Sequence, residues 1–325
     1  MTPLFNRETL ISSTIDSVVQ QTLQDWEMII VDDGSTDDSL NIAQRHAAND
    51  TRIKAIPRSR TPKGACTCRN EGLELARGEF VIFLDSDDLL KPSCLQERIQ
   101  RFNEAPENDF IACYPEIFNE EPGDSNEIWG RVYTDYLGGF LDKAAWITIA
   151  VTWRTDWVRK LGGWKEGLPS FQDWELHIRA LIKQPRYGVF AEARDAYLRR
   201  GTDLRISGQS QRDKEHLQSR RQLAVDIFDQ LVANDLLNPK RKQSLVKQFL
   251  RTGLLSSLAN DPENARDCTR QISNLGLIES PLTLQAVQLY AAFEQSKFFR
   301  LPIIAQTLRR AVKLLFMPFV AKYIL

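Results

Sequence analysis

The sequence is poor in the residues that most often build metal centres and disulfide frameworks. Its 325 residues include three histidines and five cysteines, and the cysteines lie scattered at positions 66, 68, 94, 113 and 268. An odd, scattered set does not form a disulfide framework and indicates a reducing compartment. Cys66 and Cys68 have no second closely spaced pair downstream, so a structural zinc site is not expected.

Neither charge sign dominates the chain. Its 42 basic and 43 acidic side chains leave a net charge of −1, which argues against nucleic acid as a partner. The first twenty residues carry Arg7, Glu8 and Asp16, so we expect no signal peptide. No uninterrupted apolar run is long enough to span a bilayer. We therefore expect a cytoplasmic protein of ordinary globular composition, with 42% hydrophobic and 26% charged residues.

Three nucleotide- or ion-binding motifs are missing. No G-x-G-x-x-G follows a predicted strand, which argues against a Rossmann-type dehydrogenase. No G-K-[ST] triplet occurs, which argues against a P-loop enzyme. The acidic stretch at residues 85–87 does not continue as an EF-hand, because residues 89 and 90 are both leucine.

An apolar run over residues 80–84 ends abruptly in Asp85, Asp87 and Asp88. Five apolar residues in a row are typical of a strand that is buried on both faces. Crowded carboxylates repel one another unless a cation or polar ligand lies nearby, and open parallel sheets bind ligands at the carboxyl ends of their strands. We therefore predict a divalent cation with oxygen ligands here. The alternative is a solvated Asp-rich turn.

A second short strand, over residues 28–31, also ends in carboxylates, Asp32 and Asp33, and Gly34 permits a tight turn after them. Alternating strands and helices with short connections predict a mostly parallel α/β sheet flanked by helices. Both acidic ends then fall on one edge of the sheet and converge on one cleft. The pattern predicts helices over residues 8–22, 36–48, 65–77, 92–102, 155–160 and 172–183, and further strands over 52–56, 108–118, 147–153, 187–190 and 195–199.

Long helical patterns dominate after about residue 208, where glycine and proline become rare. We therefore divide the chain into an α/β domain over residues 1–208 and a helical region of four to six helices over residues 209–325. Residues 301–325 place basic side chains beside a strongly apolar face, which suits a helix lying on a membrane surface. The alternative is a last helix docked on the protein's own core.

Five segments together resemble the family 2 inverting glycosyltransferases, which have the Rossmann-like GT-A fold. They are residues 3–7, 29–37, 69–79, 83–88 and 172–176. The resemblance covers roughly residues 2–205. It implies an enzyme that transfers a sugar from a nucleotide-diphosphate sugar, with a UDP-sugar favoured, to a glycan or lipid-linked acceptor. The expected setting is surface polysaccharide synthesis, at the inner face of the plasma membrane.

The resemblance also implies roles for single residues at the nucleotide base. Pro3, Phe5 and Arg7 match the loop that borders the base. Asp33 matches the aspartate that accepts a hydrogen bond from the base, and a carboxylate suits the imide donor of uracil. Asp32 would support the turn.

Further roles concern the diphosphate and the sugar. Arg69 would hold a phosphate, or else pair with Asp85 or Asp87 while the site is empty. Asp85 and Asp87 match the D-x-D pair, with Ser86 between them at the nucleotide-sugar site. Asp87 would bind Mn²⁺ or Mg²⁺ directly, and Asp85 would reach the ribose or a metal-bound water. Asp173 matches the general base, although the family often has Glu-Asp where this chain has Gln-Asp.

These residue types suit the chemistry of sugar transfer. The leaving diphosphate gains negative charge, which a divalent cation and a cationic side chain stabilise. The incoming hydroxyl loses its proton as it attacks, so a carboxylate has to lie on the opposite face, and a single base gives inversion. Trp153, Trp164 and Trp174 offer flat faces for a sugar ring, or else belong to the core. His177 follows on the same helix face as Asp173 and is expected to be structural.

Two features depart from the family pattern. The family's chain enters through an apolar strand before the first segment, and here Met1 stands where that strand should end. We therefore expect the first strand to be missing and the sheet to have a gap. Arg200 stands where many relatives carry histidine, which leaves further metal ligands open. The alternative function is an inactive nucleotide-sugar-binding or scaffolding protein, although Asp87 and Asp173 argue for an enzyme.

Overall fold

The computed structural model describes residues 1–200, 213–294 and 323 and divides them into two compact units. Of the described residues, the first unit comprises 1–136, 144–168 and 172–200. The second comprises 137–143, 169–171, 213–294 and 323. The first unit is α/β, and the second is helical.

The elements of the α/β unit follow the predicted alternation. The strands are β1 (Thr2–Leu4), β2 (Met28–Asp32), β3 (Ile53–Pro57), β4 (Phe80–Ile82), β5 (Leu89–Leu90), β6 (Phe110–Cys113), β7 (Glu116–Phe118), β8 (Val151–Arg154), β9 (Tyr187–Phe190) and β10 (Ala196–Arg199). The helices up to residue 182 are α1 (Ile11–Val19), α2 (Ser39–Asn49), α3 (Ala65–Leu75), α4 (Cys94–Glu104), α5 (Tyr136–Asp142), α6 (Thr155–Lys160) and α7 (Gln172–Ile182). Of these, α5 belongs to the second unit from residue 137 onwards.

Parallel pairing orders the first strands as β1-β2-β3, with Leu4 opposite Asp32 and Asp32 opposite Pro57. All five residues of β2 are buried, as its apolar sequence predicts. A second sheet has the order β4-β8-β6-β9, in which β8 runs antiparallel to both of its neighbours. A third, small sheet has the order β5-β10-β7. The fold class predicted from the sequence is confirmed.

The expectation of a missing first strand and a gap in the sheet was wrong. Thr2–Leu4 form β1 and pair with β2. On its other side, the Met1 amine donates to the Ile82 carbonyl at 3.0 Å and the Leu84 N–H donates to the Met1 carbonyl at 2.9 Å. This alternation is that of a parallel ladder. A strand of about four residues is therefore enough to join β2 to the strand that delivers the acidic turn.

Other elements also differ from the sequence prediction. The strand predicted over residues 108–118 is split into β6 and β7, which lie in different sheets, and β5 and α5 were not predicted. Thr148–Ala150 form a 3₁₀ turn, so β8 begins only at Val151. Helix α2 begins at Ser39 rather than near residue 36, because the Ser35 hydroxyl donates to Asp32. The Asp37 carboxylate, rather than the Ser35 side chain, accepts a hydrogen bond at the start of the helix, from the Ser39 N–H at 3.0 Å.

A completely buried ion pair lies in the core of the α/β unit. Arg98 of α4 donates from Nε and from a terminal nitrogen to the two carboxylate oxygens of Asp195, both at 2.8 Å. Their side chains are 1% and 0% exposed. Arg98 also donates to the Ile149 carbonyl at 3.0 Å and to the Thr152 hydroxyl at 3.2 Å. The pair fastens α4 to the segment before β10, and removing one partner leaves a buried charge uncompensated.

The described part of the second unit contains four further helices, which are α8 (Lys214–Ala233), α9 (Pro239–Leu258), α10 (Pro262–Asn274) and α11 (Pro281–Glu294). Asp213, Asn238 and Asp261 cap the first three by accepting the backbone N–H three residues further on. Within the described ranges, no helix has the length and apolar character needed to cross a membrane. The expected membrane-surface helix at residues 301–325 lies outside the described residues, Tyr323 excepted.

Arg98→Met is expected to lower the free energy of unfolding by about 3–5 kcal/mol, because it leaves the Asp195 carboxyl group without its partner in an apolar interior. Urea unfolding followed by circular dichroism measures the loss. Arg45→Met is the matched control, since Arg45 pairs with Asp38 on an exposed surface, with side chains 63% and 46% exposed. Equal stability of the two variants would contradict the role assigned to Arg98.

Candidate functional site

The end of β2 forms a tight turn that Asp32 holds in place. Its carboxylate accepts the backbone N–H groups of Gly34 and Ser35, both at 2.9 Å, and the Ser35 hydroxyl. Gly34 has φ +83°, which glycine adopts without strain. Asp32 therefore supports the turn, as the sequence predicted.

Asp33 is turned the other way, towards the loop that follows β3. Its Oδ1 accepts from Arg58 Nε at 2.7 Å and from the Gly64 N–H at 3.0 Å. The Asp33 side chain is 9% exposed and that of Arg58 is 18% exposed. The Asp33 N–H donates to the Leu4 carbonyl at 2.7 Å, so the backbone of Asp33 is fixed to the end of β1.

Arg69 connects three segments of the site. From α3, its guanidinium donates to Asp85 Oδ1 at 2.6 Å and to Gln172 Oε1 at 3.0 Å. The guanidinium carbon lies 4.3 Å from the centroid of the Trp164 ring. Arg69 is 5% exposed, whereas the Asp85 side chain is 37% exposed. The pairing with Asp85 that the sequence left as an alternative is present, and the carboxylate still faces solvent.

Asp173, at the start of α7, lies in the same electrostatic environment. Partial removal from solvent raises the pKa of its carboxyl group, although the Trp174 N–H at 2.8 Å and the positive charge of Arg69 oppose the rise. Asp85 raises the pKa of Asp173 further. The structure thus brings Arg69, Asp85, Gln172 and Asp173 together.

The polar residues that follow Asp85 in the turn after β4 are buried, and the turn is hydrogen-bonded to β10. Ser86 is 8% exposed, Asp87 9% and Asp88 2%. The Arg199 N–H donates to Asp88 Oδ1 at 3.0 Å, and Arg199 Nε donates to the Asp87 carbonyl at 3.2 Å. Arg200 pairs with Glu127.

The two acidic strand ends lie on opposite sides of β1. Asp33 follows β2, which pairs with one edge of β1, and Asp85 follows the segment at residues 82–84, which pairs with the other edge through Met1. Neighbouring strands are about 4.8 Å apart, so the two acidic ends are roughly 10 Å apart along the sheet edge. A nucleoside diphosphate spans that distance.

The loop after β1 borders this edge. Pro3 is buried inside β1, Phe5 is 40% exposed, and Arg7 is half-buried. The Lys63 ammonium lies 3.9 Å from the centroid of the Phe5 ring. Phe5 is therefore the member of the predicted base-binding set that offers an exposed flat face.

The three tryptophans and His177 belong to the core. Trp153, Trp164 and Trp174 are 1%, 2% and 5% exposed, which favours the core over direct sugar contact. His177 stacks on Trp153, with ring centroids 5.7 Å apart and an interplanar angle of 14°. Burial lowers the pKa of His177 to about 3, so the ring is neutral at physiological pH.

All five cysteines are buried and free.

The carboxylate oxygens of the acidic turn suit a divalent cation that is held partly by the substrate. Within the described ranges, no group of three or more His, Cys, Asp or Glu side chains forms a ready metal cage. Mg²⁺ is commonly held by one or two carboxylates together with substrate phosphates and water. Asp85 and Asp87 supply such a partial set of hard oxygen ligands, so these residues fit Mn²⁺ or Mg²⁺ bound with a diphosphate.

Sequence reasoning missed three residues that organise the site. Arg58 binds Asp33, Gln172 binds Arg69, and Arg199 binds the backbone and side chains of the acidic turn. The basic loop at residues 58–63 was a visible signal for the first. The other two contacts join segments about a hundred residues apart in sequence, so local patterns do not contain them.

Comparison with known sequences places this site in a family. Residues 1–153 match the family described as glycosyl transferase family 2. A GalNAc(5)-diNAcBac-PP-undecaprenol beta-1,3-glucosyltransferase from Campylobacter jejuni is 36% identical over 129 residues, which are 40% of this chain and 41% of that protein. A poly(ribitol-phosphate) beta-glucosyltransferase from Bacillus spizizenii is 37% identical over 108 residues, 33% of this chain and 17% of that protein. The chain spans less than half the length of these curated relatives.

Solved structures show the same fold. Residues 1–349 of S. aureus TarS, crystallised with UDP-GlcNAc, superpose with a TM-score of 0.70 at 19% identity, covering 95% of this chain and 90% of that one. The mannosyltransferase PcManGT from Pyrobaculum calidifontis, in complex with GDP-Man and Mn²⁺, gives a TM-score of 0.52 at 18% identity, covering 97% and 85%. At these identities the likeness concerns the fold alone.

Fold and strand-end geometry together define a GT-A α/β domain with its acidic edge beside β1. Residues 1–153 carry the glycosyl transferase family 2 domain. The family and fold that the five sequence segments predicted are confirmed.

His177→Phe is expected to make the free energy of unfolding less dependent on pH below pH 6.5. The unfolded chain protonates His177 below pH 6.5, whereas the folded protein does so only near pH 3. The unfolded state therefore binds more protons in this window, and stability falls with decreasing pH by about 1.4 kcal/mol per unit from this residue. Unfolding titrations between pH 7 and pH 4 measure the difference.

Ile178→Val is the control for the His177 experiment. It is an adjacent buried change without a titratable group, so it should shift the stability curve without altering its slope. Parallel curves for wild type and His177→Phe would show that the buried ring does not resist protonation.

Proposed function

We propose that the protein is an inverting glycosyltransferase that moves a sugar from a nucleotide-diphosphate sugar, with a UDP-sugar favoured, to a glycan or lipid-linked acceptor. The observation that carries this proposal is the cluster of Arg69, Asp85, Gln172 and Asp173. It sets a buried cation and an outward-facing carboxylate beside a carboxyl group whose pKa is raised. Sugar transfer requires this combination of charges.

The donor's diphosphate would lie between Arg69 and the acidic turn. Arg69 keeps its positive charge, because burial alone would lower its pKa but Asp85 and neighbouring groups raise it overall. Its Nε–H has no hydrogen-bond partner among the described residues, so this group is available to donate to a phosphate oxygen. Asp87 and Asp85 would hold Mn²⁺ or Mg²⁺, which supplies positive charge to the leaving diphosphate. Asp33 and Phe5 would take the base.

Asp173 would act as the general base. A raised pKa makes its carboxylate a stronger base than a freely solvated aspartate, which suits removal of a proton from an attacking hydroxyl. Gln172, the residue before it, is held by Arg69, so the position of the base depends on the donor side of the site. A single base on that face gives one displacement and inversion.

The acceptor class rests on the relatives. The Campylobacter protein is named for an undecaprenol-linked glycan and the Bacillus protein for poly(ribitol phosphate). Both names favour synthesis of a cell-surface polymer, and we extend that setting to this chain, at the inner face of the plasma membrane. The alternative of an inactive binding or scaffolding protein loses its main argument, because β1 is present and paired.

Asp87→Asn and Asp173→Asn are each expected to reduce sugar transfer by at least about 100-fold. Only Asp87→Asn should also weaken metal-dependent donor binding, because Asp173 faces the acceptor. Single-turnover transfer and calorimetric binding of UDP-sugars with Mn²⁺ measure the two effects. Asp156→Asn is the control, since its side chain is 85% exposed on α6. Unchanged turnover in Asp173→Asn would remove the base assignment.

A panel of nucleotide sugars is expected to single out the donor. A donor that binds the folded protein raises its melting temperature by mass action, and at 100 times its Kd the stabilisation is about 2.7 kcal/mol. Thermal shifts should be larger for UDP-sugars than for CDP- or ADP-linked sugars, and should shrink when EDTA removes Mn²⁺. Equal shifts for every member of the panel would contradict the proposed donor site.

A further inference from the structure

A half-buried arginine approaches Asp33 from the loop that joins β3 to α3. Arg58 Nε lies 2.7 Å from Asp33 Oδ1, and the Gly64 N–H donates to the same oxygen at 3.0 Å. The two side chains are 18% and 9% exposed. Arg58 also donates to the Arg60 carbonyl, and its own N–H donates to the Asp32 carbonyl at 2.7 Å. The guanidinium is thus held in place before any ligand arrives.

The loop that carries Arg58 is fixed on its far side as well. The buried carboxylate of Glu71 accepts the Ser59 and Arg60 N–H groups, each at 3.0 Å. Arg60 in turn pairs with Glu74 at 2.7 Å and with Glu166 at 2.8 Å. These contacts make the loop a rigid support, so Arg58 does not need to be ordered by the substrate.

Both backbone and guanidinium donors converge on Oδ1 of Asp33, so the orientation of the carboxylate is set from one side. The Cys68 thiol also hydrogen-bonds to this carboxylate. The two oxygens of a carboxylate have about four acceptor sites, so capacity remains for a ligand. An ionised carboxylate presents only acceptors and therefore matches a ring N–H. Uracil has a donor at N3, whereas cytosine has an acceptor there and would be repelled.

We propose that Arg58 is a positioning residue for base selectivity, which holds the Asp33 carboxylate oriented so that the site takes uracil and rejects cytosine. The inference rests on the proposed function, because it assumes that the nucleotide base lies at Asp33. Without the guanidinium, the carboxylate can turn about its remaining Gly64 contact. Its oxygens are then no longer fixed opposite N3 of the base, so the discrimination between uracil and cytosine weakens.

The test compares UDP with CDP, which differ only in the base, by calorimetry in the presence of Mn²⁺. Wild type is expected to bind UDP at least about 30-fold more tightly than CDP, because a buried charge facing an acceptor loses a hydrogen bond. Arg58→Met should reduce this ratio to below about 5-fold. Arg58→Lys, which retains the charge but not the planar fork, should give an intermediate ratio.

Arg52→Met is the matched control. Arg52 lies just before β3 and pairs with Asp50 at 2.7 Å, away from the acidic edge, so this variant should keep the wild-type ratio. A wild-type ratio in Arg58→Met overturns the inference while leaving the proposed function intact. Failure of the wild-type protein to bind either nucleotide would instead overturn the proposed function. Arg58→Gln serves the same comparison if the Met variant does not fold.

Discussion

The site depends on one buried cation, the guanidinium of Arg69. A charge at 5% exposure is costly unless it is paired, and Arg69 resolves that cost by binding Asp85 and Gln172. Those two contacts join α3, the turn after β4 and the start of α7. The general-base candidate Asp173 is the next residue along α7. The contacts that pair the Arg69 charge therefore also hold the three segments of the site together.

Three of the arginine–aspartate pairs in the α/β unit lie in its core or at its acidic edge, and the exposure of the aspartates separates their roles. Asp195 is 0% exposed, so its pair with Arg98 serves the core. The carboxylates of Asp33 and Asp85 are 9% and 37% exposed and face the edge beside β1. Arg58 and Arg69 each neutralise a strand-end carboxylate, and the Asp85 carboxylate still faces solvent. That arrangement lets like charges lie close together before a ligand and a cation bind.

Local sequence patterns predicted the fold well, because the spacing of apolar residues shows which strands are buried and which face of each helix packs on the core. The strand over Met28–Asp32 and helix α7 over Gln172–Ile182 follow directly from such patterns. The prediction was wrong at β1, where Met1 supplies main-chain hydrogen bonds that its side-chain type does not reveal. A strand can be completed by backbone groups alone, so a short apolar stretch is sufficient between two good neighbours.

The acidic residues of the site could be named from the sequence, but their partners could not. Asp33, Asp85, Asp87 and Asp173 stand in recognisable segments, whereas the contacts of Arg58 and Gln172 arise only when distant segments fold together. The tryptophans show another limit of the sequence. It left sugar contact and the core open as alternatives, and burial decides for the core, with Trp164 packed against Arg69.

The most direct test of a single nucleotide-sugar cleft is a crystal structure with UDP and Mn²⁺, read by the anomalous signal of manganese. The account predicts one manganese ion bonded to Asp87 and to the diphosphate, with the uracil ring at Asp33 and Arg69 beside the phosphates. Manganese and nucleotide bound away from the edge beside β1, or at two separate places, would contradict it.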